Sequence, residues 1–320
     1  MKYNNNIPFF EDRIPLLMLS LTDKCNLNCT YCFKKEEMKA RNELPYEDWI
    51  NAYNMYKPMM IQLFGGEPTL RWNDILKFMD YIYEDVDYSK MSIDPHNHPT
   101  LIHFATNGTT GVDYNEIPEK YRRFISICFS LDGFAKTHDL TRGVGNYDKT
   151  HGAIKRCISA GIKTGINCTL PANIYINNLD SINDFIKYYY DLGLDFMRIN
   201  TVFYPNKELH KGLTRTENTL KAISLLKQLE NVKKYHVDIV DRSGFCDKIG
   251  IHVHANGDFS PKCTAIQVSF GHYSNWSLKD ALKLNEFCIN NKWDCNNISH
   301  KNLDRYVQGL IVKKTQKQEE

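Results

Sequence analysis

The stretch Thr22-Asp-Lys-Cys25-Asn-Leu-Asn-Cys29-Thr-Tyr31-Cys32-Phe33 decides how the rest of this 320-residue sequence is interpreted. It places Cys25, Cys29 and Cys32 on one short loop, directly after an apolar run that predicts a strand. Iron–sulfur clusters are normally held by four cysteines. Three thiolates spaced in this way would hold three corners of a cubic cluster and leave one iron open to an exogenous ligand.

A zinc site is the main alternative for this loop. Structural zinc takes four tetrahedral ligands, commonly from paired C-x2-C units, and the next thiol, Cys128, falls within a predicted strand. Disulfides are disfavoured, because the ten cysteines occur without an N-terminal apolar run of signal-peptide length. We therefore expect thiols, metal ligands or catalysis in the reducing cytoplasm.

Six apolar, β-rich runs alternate with amphipathic segments through the first two thirds of the chain. The predicted strands lie at residues 16–22, 60–64, 101–105, 125–131, 164–170 and 196–203. The predicted helices between them lie at residues 47–56, 73–83, 117–123, 149–160 and 181–192. Several strands are apolar on both faces, as is typical of covered parallel strands. The alternation predicts an α/β fold with a parallel sheet, open or closed into a partial barrel.

The pattern changes after Tyr204-Pro205, and we predict a boundary within residues 206–235. A hairpin is predicted around the turn Asn256-Gly257. The elements predicted in this part are a helix at 216–230, strands at 236–240, 249–254 and 259–261, and a helix at 278–290.

The composition is that of an ordinary folded protein, with 42% hydrophobic and 24% charged residues. The 40 basic and 38 acidic residues leave a formal net charge of +2, which provides no global field for nucleic acid or an anionic membrane. No run of about 18 apolar residues occurs, so no membrane span is predicted.

Polar or glycine-rich motifs follow three more of the predicted strands. They are Gly65-Gly66-Glu67-Pro68, Thr106-Asn107-Gly108, and Ser130-Leu131-Asp132-Gly133 with His138 and Arg142 behind it. Each alone could be a turn, because Asn-Gly and Asp-Gly are favoured turn pairs. All of them would share the carboxyl edge of a parallel sheet, where ligands bind in α/β folds. Together they predict a ligand site at that edge.

The C-x3-C-x2-C loop, with Tyr31 before its last cysteine, resembles the signature of the radical S-adenosylmethionine (radical SAM) superfamily. The resemblance implies a partial (β/α)6 TIM-like radical SAM barrel over residues 14–205 and a [4Fe–4S] cluster on the three cysteines. SAM would chelate the open iron, and its reductive cleavage would give methionine and a 5′-deoxyadenosyl radical that abstracts a substrate hydrogen.

The same resemblance assigns the strand-end motifs to SAM. Gly65, Gly66 and Glu67 resemble the motif for the SAM amino group, and Arg142 with Ser130 would bind the SAM carboxylate as a bidentate fork. The other residues implied for SAM are Tyr31, Thr106, Asn107 and Asp132. We interpret His138 as a structural residue that caps its loop, whereas Asn167 and Asn200 could point into the cavity.

Four cysteines lie in the last quarter of the chain: Cys246, Cys263, Cys288 and Cys295. Their segment resembles the start of a SPASM/Twitch extension, which implies a small C-terminal Twitch-like Fe–S module. In that interpretation residues 206–235 are a linker or bridging helix, 236–300 the module and 301–320 a tail. Four cysteines suffice for one auxiliary [4Fe–4S] cluster.

The spacing of these cysteines departs from the family pattern in two places. The interval from Gly257 to Cys263 is one residue longer, and six residues separate the last pair instead of two. Zinc or free buried thiols therefore remain open. His252, His254 and His272 are possible substitute ligands, and Cys128, Cys157 and Cys168 are predicted to be core residues.

The SLDG-x4-H-x3-R segment resembles the branch that includes anaerobic sulfatase-maturating and peptide-modifying enzymes. It implies oxidation, epimerisation or crosslinking of a peptide or protein side chain, with a reductant such as flavodoxin or ferredoxin. Dehydrogenation of a small alcohol or sugar is the alternative, since enzymes with the shorter Twitch module are known to perform it. A third hypothesis is a non-catalytic iron–sulfur or zinc protein, which would bind no SAM.

Overall fold

One nine-stranded sheet organises the computed structural model, which describes residues 12–32, 34–35, 37–86, 98–202, 217–240, 250–261 and 269–290. Only the backbone is described at 37, 261 and 288–290. The strands are β1 (Leu16–Thr22), β2 (Met60–Gly65), β3 (Leu101–Thr106), β4 (Ile125–Ser130), β5 (Lys163–Leu170), β6 (Phe196–Thr201), β7 (Asp238–Ile239), β8 (Ile251–Val253) and β9 (Phe259–Pro261). Their order across the sheet is β7-β6-β5-β4-β3-β2-β1-β8-β9.

The first six strands confirm the predicted parallel sheet. Each of β1 to β5 pairs in parallel with the strand that follows it in the chain, for example through Leu17↔Ile61 and Cys128↔Gly165. Strands added in chain order, with helices between them, wind as in a (β/α) barrel. Among the described strands the sheet does not close on itself, so the architecture is the predicted partial barrel.

The two faces of the sheet differ in chemistry because side chains alternate along a strand. Leu17 and Leu19 of β1 are fully buried in the hydrophobic core that the helices share. The opposite face carries Ser20 on β1, Gln62 on β2 and His103 on β3. The predicted apolar character therefore holds for the face under the helices, and the other face is polar in part.

The helices are α1 (Glu37–Ala40), α2 (Tyr46–Tyr56), α3 (Trp72–Tyr83), α4 (Glu119–Arg122), α5 (Ala135–Arg142), α6 (Asn146–Ser159), α7 (Ala172–Asn177), α8 (Leu179–Asp191), α9 (Glu217–Leu226), α10 (Glu230–Lys234) and α11 (Leu278–Asn290). A short 3-10 helix, Pro68–Arg71, follows β2. Of the helices described here, none combines the length and the apolar character that crossing a membrane requires.

Several helical segments differ from the sequence prediction, among them the short helices α1 and α7, which the sequence analysis does not predict. The helix predicted at 216–230 is interrupted at Leu229, whose backbone is extended (φ −56°, ψ 137°). The side chain of Asn183 fixes this break, because it accepts from the backbone N–H of Asn231 at 3.0 Å. The sequence does not predict α5, because AKTHDLTR has little apolar periodicity. This helix nevertheless positions Arg142.

The predicted hairpin is present in the described residues and extends the main sheet. β8 and β9 are antiparallel and pair through Val253↔Phe259. β8 also lies parallel to β1, with the register Leu17↔Ile251. Ile251 and Val253 are fully buried in the same core as Leu17. The sheet thus crosses the boundary predicted at 206–235, and a separate C-terminal module stays a prediction.

The segment after β9 packs back onto α2. The hydroxyl of Tyr56 lies within hydrogen-bond distance of the carbonyl oxygens of Tyr273 (3.0 Å) and Trp276 (2.9 Å). The Tyr273 hydroxyl donates to the carboxylate of Asp48 at 2.6 Å. The Trp276 ring stacks on Phe259 of β9, with ring centroids 5.0 Å apart. These contacts join the last described segment to the first half of the chain.

Candidate active site

The three cysteines lie on the loop that follows β1, at the carboxyl edge of the sheet. Cys25, Cys29 and Cys32 are each partly exposed. The backbone N–H of Leu27 points to Sγ of Cys25 at 3.4 Å. Met38 of α1 approaches from the other side, with its Sδ 3.9 Å from Sγ of Cys32. The loop therefore presents three partly exposed cysteines over one short stretch.

This donor set suits a cluster better than a single ion. Within the described ranges, no three His, Cys, Asp or Glu side chains are arranged to hold one metal ion. A cubic cluster takes each thiolate on a different iron, so its ligands do not have to converge on one point. Nitrogen donors are directed at two of the sulfurs, Cys25 and Cys29, and such contacts are regular features of iron–sulfur sites.

Burial favours the protonated form of two of the thiols, those of Cys25 and Cys29, when no metal is bound. Burial raises the pKa of the Cys25 thiol to about 11. Burial also raises the pKa of Cys29, although the positive charge of Arg142 opposes this effect. Because thiolates are the metal-binding form, loading with iron has to release these protons.

Glu67 joins the ends of β2 and β3 through a carboxylate that is 1% exposed. Its Oε1 accepts from the Thr69 N–H (3.0 Å), the Thr69 hydroxyl (2.6 Å) and the Thr106 hydroxyl (2.7 Å). Its Oε2 accepts from the N–H of Asn107 at 2.7 Å. Burial raises the pKa of Glu67, and these donors oppose the rise. A carboxylate satisfied in this way fixes the two strand ends relative to each other.

Gly65 and Gly66 bring the backbone after β2 against the start of the cysteine loop. The N–H of Gly66 donates to the carbonyl of Thr22 (2.8 Å), and the N–H of Glu67 donates to that of Lys24 (2.9 Å). A Cβ on Gly65 would lie 2.3 Å from the oxygen of Thr22, and one on Gly66 would lie 2.3 Å from that of Lys24. Only glycine fits at such an approach. The paired glycines are thus required by the protein's own loop.

Asn107 connects the end of β3 to the cysteine loop. Its Nδ2 donates to Oδ1 of Asn26 (2.8 Å) and lies 4.0 Å from Sγ of Cys25. Its Oδ1 accepts from the N–H (2.9 Å) and the hydroxyl (2.7 Å) of Thr109. The Thr109 oxygen in turn accepts from Nδ2 of Asn26 at 2.8 Å. This ring of three polar side chains holds the loop beside Cys25.

Asp132 is a second buried carboxylate, fully enclosed where β4 ends. Its donors are the hydroxyls of Tyr31 and Thr141 (3.1 Å), the N–H of Thr169 (2.9 Å), and Nε (2.6 Å) and Nη2 (3.4 Å) of Arg142. The remaining nitrogen of Arg142, Nη1, lies 4.0 Å from Sγ of Cys29. Asp132 therefore ties β4, β5 and α5 to the cysteine loop.

His138 supports Asp132 from behind. Its Nδ1 accepts from the backbone N–H of Asp132 at 3.1 Å, and its side chain is fully buried. Burial lowers the pKa of His138 to about 4. The imidazole is therefore neutral near pH 7, and its contact with Asp132 puts the proton on Nε2. This is the contact of a capping residue, as the sequence predicts.

The remaining residues predicted for the site are Ser130, two asparagines and the four C-terminal cysteines. Ser130 is partly exposed at the same edge, as the last residue of β4. Asn200 donates to Asn167 on the neighbouring strand. Cys246, Cys263 and Cys295 lie outside the described residues, and at Cys288 in α11 the backbone alone is described.

The histidines considered as substitute ligands contact serines. Nε2 of His252 lies 2.9 Å from the hydroxyl of Ser20, and Nε2 of His254 lies 2.9 Å from that of Ser260. His272 begins a 3-10 helix, where its side chain accepts from a backbone N–H. The cysteines predicted as core, Cys128, Cys157 and Cys168, are buried.

The sequence does not single out several residues that complete the site. Asn26, Thr109, Thr141 and Thr169 each bind one of the predicted residues directly. Their one sequence signal is closeness to a motif, since Asn26 follows Cys25 and Thr141 precedes Arg142. Thr169 lies in β5 and has no such signal, because β5 reaches Asp132 only through the fold.

A strand order wound as a partial barrel and a three-cysteine loop at its carboxyl edge define a class of enzyme. Residues 19–189, more than half of the 320-residue chain, match the model of the Radical SAM superfamily. The chain belongs to this superfamily and is a radical SAM enzyme. Membership implies SAM and a [4Fe–4S] cluster as its cofactors.

Relatives in the superfamily have different activities. The chain is 26% identical over 274 residues to a GTP 3′,8-cyclase of Clostridium perfringens, covering 80% of this chain and 78% of the cyclase. It is 25% identical over 237 residues to the Fe-coproporphyrin III synthase of Methanosarcina barkeri, covering 72% of this chain and only 54% of the synthase.

Solved structures share the fold at low sequence identity. The anSMEcpe structure with bound AdoMet has a TM-score of 0.64 at 18% identity and covers 89% of this chain and 88% of its own. Streptococcus suis SuiB bound to its precursor peptide SuiA has a TM-score of 0.60 at 17% identity, with coverage of 85% and 65%. At these identities the likeness establishes the architecture alone.

Proposed function

We propose that Cys25, Cys29 and Cys32 hold the [4Fe–4S] cluster of this enzyme and that SAM binds beside it along the carboxyl edge of the sheet. The observation that carries the assignment is the convergence of two buried carboxylates on the cysteine loop. Glu67 acts through Asn107 at Cys25, and Asp132 acts through Arg142 at Cys29. Bound there and reduced, the cluster supplies the electron that cleaves SAM to methionine and a 5′-deoxyadenosyl radical.

The chain's own residues position these groups. The residues proposed to surround SAM are Tyr31, Gly65, Gly66, Glu67, Thr106, Asn107, Ser130, Asp132 and Arg142. Because Glu67 and Asp132 are saturated by internal donors, they act mainly by fixing the strand ends and the loop. Ser130, partly exposed at the edge, is proposed to touch SAM itself. A preset site of this kind reduces the reorganisation that the reaction requires.

The proposed substrate is a side chain of a peptide or protein, which would be oxidised, epimerised or crosslinked. The support is the SLDG-x4-H-x3-R segment, which folds into the Asp132 network. The anSMEcpe and SuiB structures that share the fold include forms with a bound peptide. The second candidate is dehydrogenation of a small alcohol or sugar. The polar face of the sheet, with Gln62 and His103, favours this second candidate. The relative named GTP 3′,8-cyclase also favours it, because the GTP in that name is a small molecule.

The proposed electron source is a small carrier such as flavodoxin or ferredoxin in the cytoplasm. Cys246, Cys263, Cys288 and Cys295 are proposed to hold one auxiliary [4Fe–4S] cluster in a Twitch-like module. Their number suffices for one such cluster.

Iron counting after anaerobic reconstitution tests both clusters. The proteins are wild type, the Cys25/Cys29/Cys32→Ala variant, the Cys246/Cys263/Cys288/Cys295→Ala variant and, as a control at a buried core thiol, Cys157→Ala. We expect about eight irons in wild type and the control and about four in each multiple variant. Dithionite and SAM should then give 5′-deoxyadenosine from every protein except the Cys25/Cys29/Cys32→Ala variant. Zinc in place of iron, or nucleoside from that variant, would refute the assignment.

Deuterium transfer separates the two substrate classes. An extract of perdeuterated cells is divided into a dialysed protein fraction and a small-molecule filtrate, and each is incubated with the reduced enzyme and unlabelled SAM. Deuterium in 5′-deoxyadenosine from the protein fraction, lost after protease digestion and removal of the fragments, supports the peptide or protein substrate. Deuterium from the filtrate alone contradicts it and favours the small alcohol or sugar.

A further inference from the structure

The guanidinium of Arg142 is held by the Asp132 carboxylate and the Tyr31 ring. Nε and Nη2 occupy the two oxygens of Asp132 at 2.6 Å and 3.4 Å. The Tyr31 ring lies under the cation, with its centroid 5.5 Å from Cζ. The Arg142 side chain is only 9% exposed. The negative charge of Asp132 offsets part of the field of Arg142, but Arg142 acts on Cys29 more strongly than Asp132 does. Solvent screens both charges weakly in this environment.

Asp132 is itself fixed and has no spare freedom to turn. Its backbone N–H is bound by His138, while its carboxylate also accepts from Thr141 and from the N–H of Thr169 in β5. These donors belong to the chain's own rigid elements. The carboxylate therefore sets the orientation of Arg142, and Nη1 is the nitrogen that this orientation leaves toward Cys29.

Nη1 of Arg142 lies 4.0 Å from Sγ of Cys29. The reduction potential of an iron–sulfur cluster depends on its net charge and on the hydrogen bonds to its sulfurs. A cation beside one sulfur stabilises the more negative, reduced form and raises the potential. Cys25, by contrast, faces the neutral donors Leu27 N–H and Asn107 Nδ2.

We propose that Asp132 is a positioning residue that holds the Arg142 cation against the Cys29 sulfur, and that this contact raises the reduction potential of the cluster. The inference rests on the proposed function, which places the cluster on Cys25, Cys29 and Cys32. It gives Arg142 a role that does not require SAM. That role can therefore be separated from binding of the SAM carboxylate by measuring the cluster in the absence of SAM.

The test is a redox titration of the reconstituted, SAM-free cluster followed by electron paramagnetic resonance. The proteins are wild type, Arg142→Gln, Asp132→Asn, the double variant and Arg122→Gln. Arg122 is the matched control, because its guanidinium is also held, in this case by backbone carbonyl oxygens. It lies on α4, which comes just before β4 begins, and is therefore at the opposite edge of the sheet from the cysteine loop. We expect Arg142→Gln to shift the potential to more negative values and Arg122→Gln to leave it unchanged.

The double variant tests the positioning role through a thermodynamic cycle. If Asp132 positions Arg142, removing Arg142 in the Asp132→Asn background should shift the potential by much less than it does in wild type. An equal shift in both backgrounds would overturn the role of Asp132. No shift for Arg142→Gln, with affinity for SAM reduced, would overturn the contact with Cys29 and leave Arg142 as a carboxylate ligand.

Variants that bind no iron are handled separately, because their failure would concern folding. Iron content and circular dichroism of each protein distinguish loss of the cluster site from loss of the potential shift. If Arg142→Gln does not load iron, Arg142→Met takes its place, since methionine keeps an unbranched side chain but has no charge and no nitrogen to reach Cys29. A potential equal to that of wild type in Arg142→Met would then overturn the proposal.

Discussion

Several buried polar residues of this enzyme provide the hydrogen-bond partners that each of the others needs. Glu67 and Asp132 are both nearly or fully enclosed, and each accepts hydrogen bonds from backbone and side-chain donors. Loss of one donor from such a carboxylate leaves the others intact, whereas loss of the carboxylate strands several donors at once. His138 extends this logic, because its contact with Asp132 requires an unprotonated Nδ1.

We expect acid to destabilise the apo-protein through His138. Its pKa is about 4 in the folded chain against an ordinary value of 6.5. The stability that neutral His138 contributes is thus complete above the unfolded value and is lost as the pH falls toward the folded value. Urea unfolding should show a loss of about 2 kcal/mol from this residue between about pH 7 and about pH 5.

The matched variants isolate that contribution. His138→Gln should lose about 2 kcal/mol less than wild type over the same interval, since glutamine does not titrate. Thr150→Val, which removes a buried hydrogen bond but no titratable group, should lose as much as wild type. Equal losses in wild type and His138→Gln would show that protonation of His138 does not oppose folding.

The residues of the cysteine loop and the glycine motif could be singled out from the sequence because their order and spacing are local. Their partners could not be predicted in the same way. Asp132 is expected beside SAM, yet the structure surrounds it with donors from β5, α5 and the loop. Such convergence depends on which strands become neighbours, and no window of sequence contains it.

At the scale of elements, the glycines after β2 fasten two loops together. We expect Gly66→Ala to lower the free energy of unfolding by about 3 kcal/mol, because its Cβ would meet the carbonyl oxygen of Lys24 at 2.3 Å. The displaced loop should also bind less iron on reconstitution. Urea unfolding and iron counting give the two measurements.

Gly152→Ala is the control for this prediction. Gly152 lies inside α6, and a Cβ there would meet only the end of the Arg156 side chain, at 3.5 Å. Alanine should therefore be neutral or stabilise the helix by up to about 1 kcal/mol. A Gly66→Ala protein as stable as Gly152→Ala and fully loaded with iron would contradict the role assigned to this contact.

The elements of the first two thirds are predictable because each strand has a strong apolar pattern and pairs with the next one along the chain. The pairing of β8 with β1 is not predictable in this way. IHVH gives a clear strand signal, but its partner lies more than two hundred residues earlier in the chain. The helix α5, by contrast, has no clear sequence signal of its own, because buried polar contacts hold it in place instead of an apolar stripe.

For the whole molecule, the continuous sheet predicts that β8 opens together with β1. In hydrogen exchange of the apo-protein, the amides of Ile251 and Val253 should be protected to the same degree as those of Leu17 and Leu19. An independent C-terminal unit would instead let residues 250–254 exchange first. Exchange measured by mass spectrometry on overlapping peptides decides between these outcomes, with β2 and β3 as internal references.

The two outermost strands of the described sheet are short, and this limits aggregation. An open sheet exposes unpaired N–H and C=O groups to which another chain can add a strand. Here β7 has two residues, with the charged pair Asp238–Arg198 beside it, and β9 has three and ends at Pro261, which has no N–H to donate. Neither strand is a good template for a second copy, so the sheet, which the described strands leave unclosed, is still guarded against edge-to-edge polymerisation at these two strands.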